Sequence, residues 1–246
     1  MPRNALSRWL YTKATSRIVT TGEALKKELV QTNGYPPARI ESVPTGIDID
    51  RFRPGDRAAA RARLGIAQER TLIGIVATLR SWKGHRFLIE AMSQLPRSAD
   101  LVVVGDGPQR QALESLVDAR GLRSRVRFAG EQRDVLPWLQ ALDVFALPSY
   151  ANEGVPQALM QAMLVGLPCV TTGVGSIGEL AIHENTALVV PPQDADALRL
   201  AIEAILQSED LRRKLGAAAR AHCSAHYSYE TMLDRMEAIY RSVVQG

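Results

Sequence analysis

The sequence predicts an α/β fold in which a parallel sheet is covered by helices on both faces. Short apolar runs recur from residue 72 onward, and each is followed by a stretch with helical periodicity. The runs have no polar alternation, which is typical of strands that are buried on both faces. Because strands and helices alternate regularly, parallel strands joined by crossover helices are favoured over an antiparallel sheet.

The predicted elements follow one another in a simple order. Strands are predicted at residues 72–76, 101–104, 126–128, 144–147, 169–172 and 187–190. Helices are predicted at residues 86–95, 109–120 and 135–141, then from Pro156 onward, and finally up to residue 206 with Asp194 as the N-cap. Ligands of such sheets bind beyond the carboxyl ends of the strands, so we expect functional residues in the loops that follow the strands.

Both ends of the chain depart from this order. Predicted strands at residues 18–21 and 40–43 flank a helix, and residues 44–56, with two prolines and two glycines, are predicted to form a linker. Two strands are too few for a sheet that stands alone comfortably. Residues 1–43 are therefore interpreted as the remnant of another domain or as an edge of this one. The chain ends in a predicted amphipathic helix at residues 227–246.

Composition is ordinary for a globular protein with a packed core. The apolar fraction is 46%, and no apolar run approaches the roughly 20 residues that a membrane span needs. Cys169 and Cys223 suit a reducing compartment and require no disulfide. The net charge of +4 suits phosphorylated ligands or an anionic membrane surface. We expect a cytoplasmic protein that binds no nucleic acid, with peripheral contact to the inner face of the membrane left open.

The most informative segment is residues 153–163, which follows the fourth predicted strand. Pro156 suits the first position of a helix, and the free N–H groups of the next two residues would point toward an anion. Glu153 lies just before this helix, and Gln157 and Gln161 share one of its faces. A carboxylate, a positive helix end and an amide suit a sugar, a phosphate and a second hydroxylated ring. An ordinary polar helix face is the alternative interpretation.

Six motifs in a fixed order extend this reading to the rest of the chain. They occupy residues 43–52, 76–84, 104–110, 143–163, 166–170 and 175–179. Their order and spacing resemble the carboxyl-terminal half of a family 4 (group 1) retaining glycosyltransferase of the GT-B fold. The resemblance covers nearly everything from Ser16 onward. It implies a Rossmann-like nucleotide-sugar-binding domain at residues 57–226, preceded by an interdomain linker and by a remnant of the acceptor domain.

The resemblance implies a role for each matching position. Glu153 would meet the hydroxyls of the transferred sugar, and Lys83 would meet the donor diphosphate. Thr78 stands where the family has a second diphosphate-binding cation, and Arg80 is expected to substitute for it. Gln161 stands where the family has a carboxylate on the ribose, and an amide binds hydroxyls without the assistance of a charge. The remaining implied donor-binding residues are Gly154, Val155, Pro156, Gln157 and Glu179.

Glycosyl transfer explains why positive groups are expected at this site. Negative charge builds on the leaving diphosphate as the sugar becomes cation-like, so fixed positive charge there stabilises the transition state more than the ground state. Arg80, Lys83 and the N–H groups near Pro156 would supply that charge, and no metal or cofactor is predicted. The family is retaining and is thought to react on one face of the sugar without a covalent enzyme intermediate. We therefore nominate no nucleophile.

Other candidate residues have simpler interpretations. The Gly-Asp-Gly sequence at residues 105–107 is interpreted as a tight strand-to-helix turn rather than a dinucleotide fingerprint. Residues 222–226 have histidine and cysteine spacings that suit a metal, but they are predicted to lie in a helix-breaking surface stretch without a fourth ligand. His85 is assigned a helix-start or surface role. For Glu179 the alternative is a carboxylate that stabilises a helix dipole. Trp9 could face a membrane, but it is assigned to a helix of the missing domain.

These observations predict a glycosyltransferase donor domain that serves a polysaccharide, lipopolysaccharide or lipid-linked acceptor. Two other functions are considered, namely a nucleotide-sugar-binding module without turnover and a GT-B nucleotide-sugar epimerase. The order of the linker and donor motifs argues against the epimerase. Because an acceptor domain usually needs well over a hundred residues, we expect the isolated chain to bind donor with little transfer, to need a separate acceptor domain, and to self-associate.

Overall fold

The computed structural model describes residues 5–151 and 153–245 of the chain. Its N-terminal part contains α1 (Ala5–Trp9), a π-helix (Leu10–Ala14), β1 (Ile18–Thr20), α2 (Glu23–Gln31) and β2 (Ile40–Ser42). The two strands pair in parallel with each other and with no other strand that the structure describes. A small core of Ile18, Leu29, Tyr35 and Ile40 stabilises this unit. The N-terminal segment is therefore not an edge of the main sheet, which excludes one of the two interpretations given above.

The main sheet confirms the predicted α/β fold. Its strands are β3 (Thr71–Val76), β4 (Ala99–Val104), β5 (Val126–Gly130), β6 (Val144–Leu147), β7 (Cys169–Thr172) and β8 (Leu188–Val190). The helices are α3 (Arg57–Leu64), α4 (His85–Met92), α5 (Arg110–Ala119), α6 (Leu136–Ala141), α7 (Gln157–Leu164), α8 (Ala195–Gln207), α9 (Glu209–His226) and α10 (Tyr229–Val244). All neighbouring strands are parallel, and helices cover both faces.

The strand order places one pair of loops side by side. The six strands lie in the order β5-β4-β3-β6-β7-β8, so the chain moves outward from β3 in one direction and, after β5, crosses back to β6. β3 and β6 are neighbours, with Ile73 opposite Val144. The direction of winding changes between them, and such a switch point opens a crevice at the carboxyl ends of the strands. The loops after β3 and β6 therefore line the expected binding crevice.

At the opposite end of the same strands, a buried ion pair joins α3 to the sheet. Arg61 is 1% exposed, and its Nη2 donates to Oδ2 of Asp143 at 2.7 Å. The same carboxylate oxygen accepts the N–H of Leu72 at 2.7 Å, and Arg57 also pairs with Asp143. Arg61 Nε donates to the carbonyl of Ala141 at 2.9 Å. Because these groups satisfy the buried guanidinium, α3 is fixed to the first and fourth strands of the domain.

Several local predictions were wrong. The stretch at residues 222–226 is neither helix-breaking nor on the surface as a whole, because it forms the last turn and a half of α9 and Cys223 is fully buried. The Cys223 thiol lies 3.8 Å from the sulfur of Met163, and burial raises its pKa to about 12. Pro156 is the N-cap of α7, with extended backbone angles, rather than its first helical residue.

No helix among the described residues is long and apolar enough to span a membrane.

Candidate functional site

Two loops meet at the switch point and hold each other in place. The loop after β3 ends in a 3-10 turn (Ser81–Lys83) followed by Gly84, whose φ is 76°. A Cβ added to Gly84 would lie only 2.0 Å from the carbonyl oxygen of Pro148, so a side chain there would clash with the loop after β6. The N–H of Tyr150 donates to the carbonyl of Trp82 at 2.8 Å. The two loops therefore have a fixed relative position.

This position brings Lys83 and Glu153 together. The Lys83 Nζ atom lies 2.7 Å from Oε1 and 3.0 Å from Oε2 of Glu153, so both carboxylate oxygens face one ammonium group. The Glu153 side chain is 6% exposed and that of Lys83 is 18% exposed. Hydrogen bonds with ionised groups on both sides are short and strong. The two residues that the sequence assigned to the transferred sugar and to the diphosphate are thus in direct contact.

The backbone of Glu153 is held by a third loop. The N–H of Ser176 donates to the Glu153 carbonyl at 3.0 Å. Gly175 has a φ of 58°, and a Cβ added to it would lie 2.1 Å from the same carbonyl oxygen. Only glycine permits this close approach without strain. The glycine-rich stretch at residues 175–179 therefore serves to position the Glu153 loop.

A cavity of about 450 Å³ lies beside this ion pair. The predicted site residues that line it are Thr78, Lys83, Pro156, Gln157 and Gln161. It is bounded by the carboxyl ends of several parallel strands and by the first turns of α7, where no side chain caps the helix start. Its volume is within the range of small-molecule sites, and uncapped helix amides attract anions. The cavity therefore combines a cation, a helix start and the amide side chains of Gln132, Gln157 and Gln161.

Sequence reasoning missed part of this cavity. Glu131, Gln132 and Val135, which follow β5, also line it, as does Gly105 after β4. The signal was available, because these residues follow predicted strands and the carboxyl ends of parallel strands share one edge of a sheet. The predicted tight turn at residues 105–107 is confirmed, since the Gly105 φ is 133° and an added Cβ would lie 2.1 Å from the carbonyl oxygen of Ala77.

Besides Glu153 and Glu179, three predicted site residues are not in the lining of the cavity, namely Arg80, Gly154 and Val155. Arg80 is exposed, and its guanidinium lies over the ring of Trp82, 5.7 Å from the ring centroid. Val155 is buried, and a Cβ added to Gly154 would lie 3.0 Å from the hydroxyl oxygen of Thr21 in the N-terminal segment. The structure gives these positions packing roles. Their contact with a donor, including the substitution of Arg80 for the family's cation, stays a prediction.

Glu179 has a partner far away in the sequence. Its Oε1 accepts the N–H of Glu23 at 2.8 Å and that of Ala24 at 3.4 Å, at the start of α2. The hydroxyl of Ser176 accepts the Ala24 N–H at 3.3 Å. This carboxylate therefore stabilises a helix start, as the alternative interpretation required, but the helix belongs to the N-terminal segment. Its contact with a donor stays a prediction.

His85 lies directly after the Lys83 loop and is buried, which corrects the predicted surface role while keeping the helix-start role. It is the first residue of α4 and is 2% exposed. Neither ring nitrogen has a hydrogen-bond partner among the described residues. Burial, with a smaller contribution from the charge of Lys83, lowers its pKa from 6.5 to about 4. The imidazole is therefore neutral at pH 7.

Comparisons with known proteins show what the chain is similar to. Over 237 residues the chain is 29% identical to a D-inositol 3-phosphate glycosyltransferase of Mycobacterium marinum, in an alignment that covers 93% of this chain and 50% of the relative. The chain thus spans about half the length of the curated relatives it matches.

Solved structures show the same fold. Sucrose-phosphate synthase from Thermosynechococcus elongatus is 28% identical with a TM-score of 0.88, covering 98% of this chain and 61% of that one. Anabaena HepE, solved in complex with UDP-glucose, is 24% identical with a TM-score of 0.89, covering 98% of this chain and 67% of that one. The latter likeness shows the fold alone.

The family assignment follows from two sequence models. The one described as Glycosyltransferase Family 4 matches residues 1–51, which include the separate two-stranded unit and most of the linker. The one described as Glycosyl transferases group 1 matches residues 56–222, which is more than half of the chain and contains the whole cavity. The chain has the GT-B fold and belongs to the group 1 glycosyltransferases.

Proposed function

We propose that this chain binds a nucleoside-diphosphate sugar in the cavity at the switch point and serves as the donor site of a retaining, metal-independent glycosyl transfer. The observation that carries the proposal is the Lys83–Glu153 ion pair beside a cavity that also contains the start of α7. Lys83 would contact the diphosphate of the donor while Glu153, its ion-pair partner, contacts the sugar. The two parts of the donor would then be held by residues that touch each other.

Lys83 and the start of α7 are the groups proposed for the diphosphate. Without a donor, the Lys83 charge is balanced by Glu153. A diphosphate brings further negative charge, which an ammonium group and uncapped helix amides can share. Thr78 adds a hydroxyl at the same cavity wall. As the bond to the leaving diphosphate breaks, these groups would stabilise the charge that develops there, and they require little reorganisation because the loops are already fixed.

The nucleoside is proposed to occupy the far part of the cavity. Gln161 lies one turn along α7 from Gln157, and both line the cavity, so the amide of Gln161 is available to the ribose hydroxyls. Gln132 donates its amide to the carbonyl of Ala129 at 2.7 Å, which fixes its orientation and leaves its oxygen free to accept. Glu131 supplies an exposed carboxylate at the same end. These two side chains are suited to hydrogen bonds with the base.

For the acceptor we propose a hydroxyl of a growing glycan or of a lipid-linked saccharide. The name of the mycobacterial relative refers to inositol 3-phosphate and that of the cyanobacterial neighbour to sucrose phosphate. Relatives with one fold whose names refer to different compounds are consistent with a shared donor site and a variable acceptor site. Glu153 would hold the sugar so that the acceptor oxygen approaches the face that the leaving diphosphate occupied, as retention requires.

Calorimetric titration with UDP-, GDP- and ADP-glucose tests the donor proposal. We expect one of the three to bind, with the matching nucleoside diphosphate binding at the same stoichiometry and competing with it. Incubation of that nucleotide sugar with saccharide acceptors, using the isolated chain and the chain with an added acceptor domain, then distinguishes transfer from epimerisation, because an epimerase changes the sugar without releasing nucleoside diphosphate. Absence of binding by all three nucleotide sugars and their diphosphates would contradict the proposal.

A further inference from the structure

A second, larger cavity lies at the amino ends of β3, β4 and β5, whereas the donor cavity lies at the carboxyl ends of the strands. Its volume is about 850 Å³. β3 has six residues, so the two cavities are separated by about 20 Å along the strand. The charged side chains in its lining are those of four arginines and one aspartate, namely Arg70, Arg97, Arg120, Arg125 and Asp100. We call this group the arginine cavity.

Two of the four guanidinium groups have fixed orientations. Arg70 makes a two-point contact with Asp100, in which Nη2 lies 2.6 Å from Oδ1 and Nε contacts Oδ2. Arg125 donates from Nε to the carbonyl of Ala99 at 2.9 Å and from Nη2 to that of Pro96 at 2.9 Å. Backbone carbonyls neutralise no charge. The only carboxylate in the lining is therefore already engaged by one arginine.

The other two arginines have no strong partner within the described residues. Arg120 Nη2 lies 4.0 Å from Oε1 of Glu90, and that carboxylate is closer to Arg86, at 3.2 Å. Arg97 forms no ion pair with any residue that the structure describes, and both Arg97 and Arg120 are exposed. Their guanidinium groups are thus available to a ligand without the loss of an existing ion pair.

Arg125 bears the electrostatic cost of this cluster, whereas the hydrogen bond with Asp100 raises the pKa of Arg70. Burial is the largest effect on Arg125 and lowers its pKa, the neighbouring charges of Arg70 and Arg97 act in the same direction, and Asp100 opposes them. Like charges that share a partly buried site repel each other, and an opposite charge within about 4–6 Å relieves this repulsion. An anion in the cavity would therefore be stabilised by several arginines at once.

We propose that the arginine cavity binds a ligand that carries a phosphoryl group, either a phosphorylated small molecule or the headgroup of an anionic lipid. The planar guanidinium fork matches phosphate oxygens in two-point contacts, which a lysine cannot make. The volume is within the range of small-molecule sites. The site is separate from the donor cavity, and its existence does not depend on the proposed transfer reaction.

Titration with inorganic pyrophosphate at low salt tests the site. The test variant is Arg97→Ala/Arg120→Ala, and the matched control is Arg63→Ala/Arg220→Ala, which removes the same charge from exposed arginines that do not line the cavity. Lys83→Ala removes the proposed diphosphate contact of the donor site. We expect the wild-type chain to bind two equivalents. The test variant should lose one of them, with at least about tenfold weaker binding, and Lys83→Ala should lose the other.

The outcomes separate the two sites and the two sources of phosphate. Loss only in the test variant supports the arginine cavity and counts against the donor site, whereas loss only in Lys83→Ala overturns the arginine cavity. Equal loss in the control pair also overturns it, in favour of general charge attraction. Sedimentation with phosphatidylglycerol vesicles, against phosphatidylcholine vesicles, identifies a lipid headgroup if the test variant alone loses binding. If the wild-type chain binds neither pyrophosphate nor phosphatidylglycerol vesicles, the proposal is overturned.

Discussion

The Nζ atom of Lys83 lies within hydrogen-bond distance of both carboxylate oxygens of Glu153, at 2.7 and 3.0 Å. The two residues are 70 positions apart in the sequence and meet because the loops after β3 and β6 are adjacent. A ligand that reaches one of them therefore changes the electrostatic environment of the other. Substitution of Glu153 should mainly weaken binding of the sugar part of a donor, and substitution of Lys83 should mainly weaken binding of its diphosphate.

Glu153→Gln separates the sugar from the diphosphate. The proposed carboxylate contact is with the hydroxyls of the transferred sugar, so the variant should weaken nucleotide-sugar binding by about 1.5–3 kcal/mol, as expected for a hydrogen bond to a charged group. Binding of the nucleoside diphosphate, which has no sugar, should be unchanged or stronger because Lys83 is freed. Calorimetry with both ligands measures the difference. Glu230→Gln, at an exposed position on α10, is the control. Equal losses for both ligands would show that Glu153 only maintains the loop.

Gln161 tests the proposed contact with the ribose. It lines the cavity on α7 and offers a neutral amide. Gln161→Leu should weaken nucleoside-diphosphate binding by about 1 kcal/mol, the usual net value of a neutral hydrogen bond. Gln161→Glu should preserve or improve binding, because a charged acceptor strengthens bonds from ribose hydroxyls. Gln207→Leu, at the exposed end of α8, should have no effect. Improved binding by Gln161→Leu would indicate that the position is purely structural.

His85 should make the protein sensitive to acid. Its pKa is about 4 in the folded chain against 6.5 for an ordinary histidine, so between these values the unfolded chain binds a proton that the folded chain does not. Stability is therefore complete above pH 6.5 and is lost as the pH falls toward 4, by about 3 kcal/mol in total. Urea unfolding across this pH range gives the free energy of unfolding as a function of pH. That free energy should depend less steeply on pH in His85→Leu than in the wild type. An unchanged slope, or the same reduction in the control His183→Leu, would contradict this.

Asp143 should contribute far more to stability than an exposed aspartate. Asp143→Ala leaves the buried guanidinium of Arg61 without its carboxylate and should lower the free energy of unfolding by about 3–5 kcal/mol. The matched control is Asp118→Ala, which removes an exposed ion pair with Arg123 and should cost less than about 1 kcal/mol. Chemical denaturation of both variants measures the difference. Similar small effects would show that Arg61 is stabilised by backbone carbonyls alone.

The apolar strands and the general place of the site could be predicted from the sequence. The strands at residues 144–147 and 169–172 were predicted with the bounds that the structure gives. Each is a fully buried apolar run, and the second begins directly after Pro168. Asp194 caps α8 as expected, with the Ala197 N–H donating to its Oδ1 at 2.8 Å. The resemblance to the glycosyltransferase family assigned Lys83 and Gln161 to one site, which agrees with the shared edge that the carboxyl ends of parallel strands form.

Contacts that depend on long-range packing could not be predicted. α3 has arginines at three of its eight positions, and the burial of Arg61 depends on carbonyls and a carboxylate supplied by other segments. The contact of Glu179 with α2 joins residues about 156 positions apart. His85 is 2% exposed at the start of α4, which its polar side chain does not indicate. In each case the local sequence is polar, and the tertiary structure determines the environment.

The most direct test of the central claim compares nucleoside diphosphate with nucleoside in one calorimetric series. Lys83→Met removes the ammonium group while keeping a flexible chain of similar length, and Lys26→Met, on the separate N-terminal unit, is the control. If Lys83 binds the diphosphate, Lys83→Met should weaken nucleoside-diphosphate binding by about 1.5–3 kcal/mol and leave nucleoside binding unchanged. Diphosphate affinity that equals the wild-type value, or an equal loss for both ligands, would contradict the donor site described here.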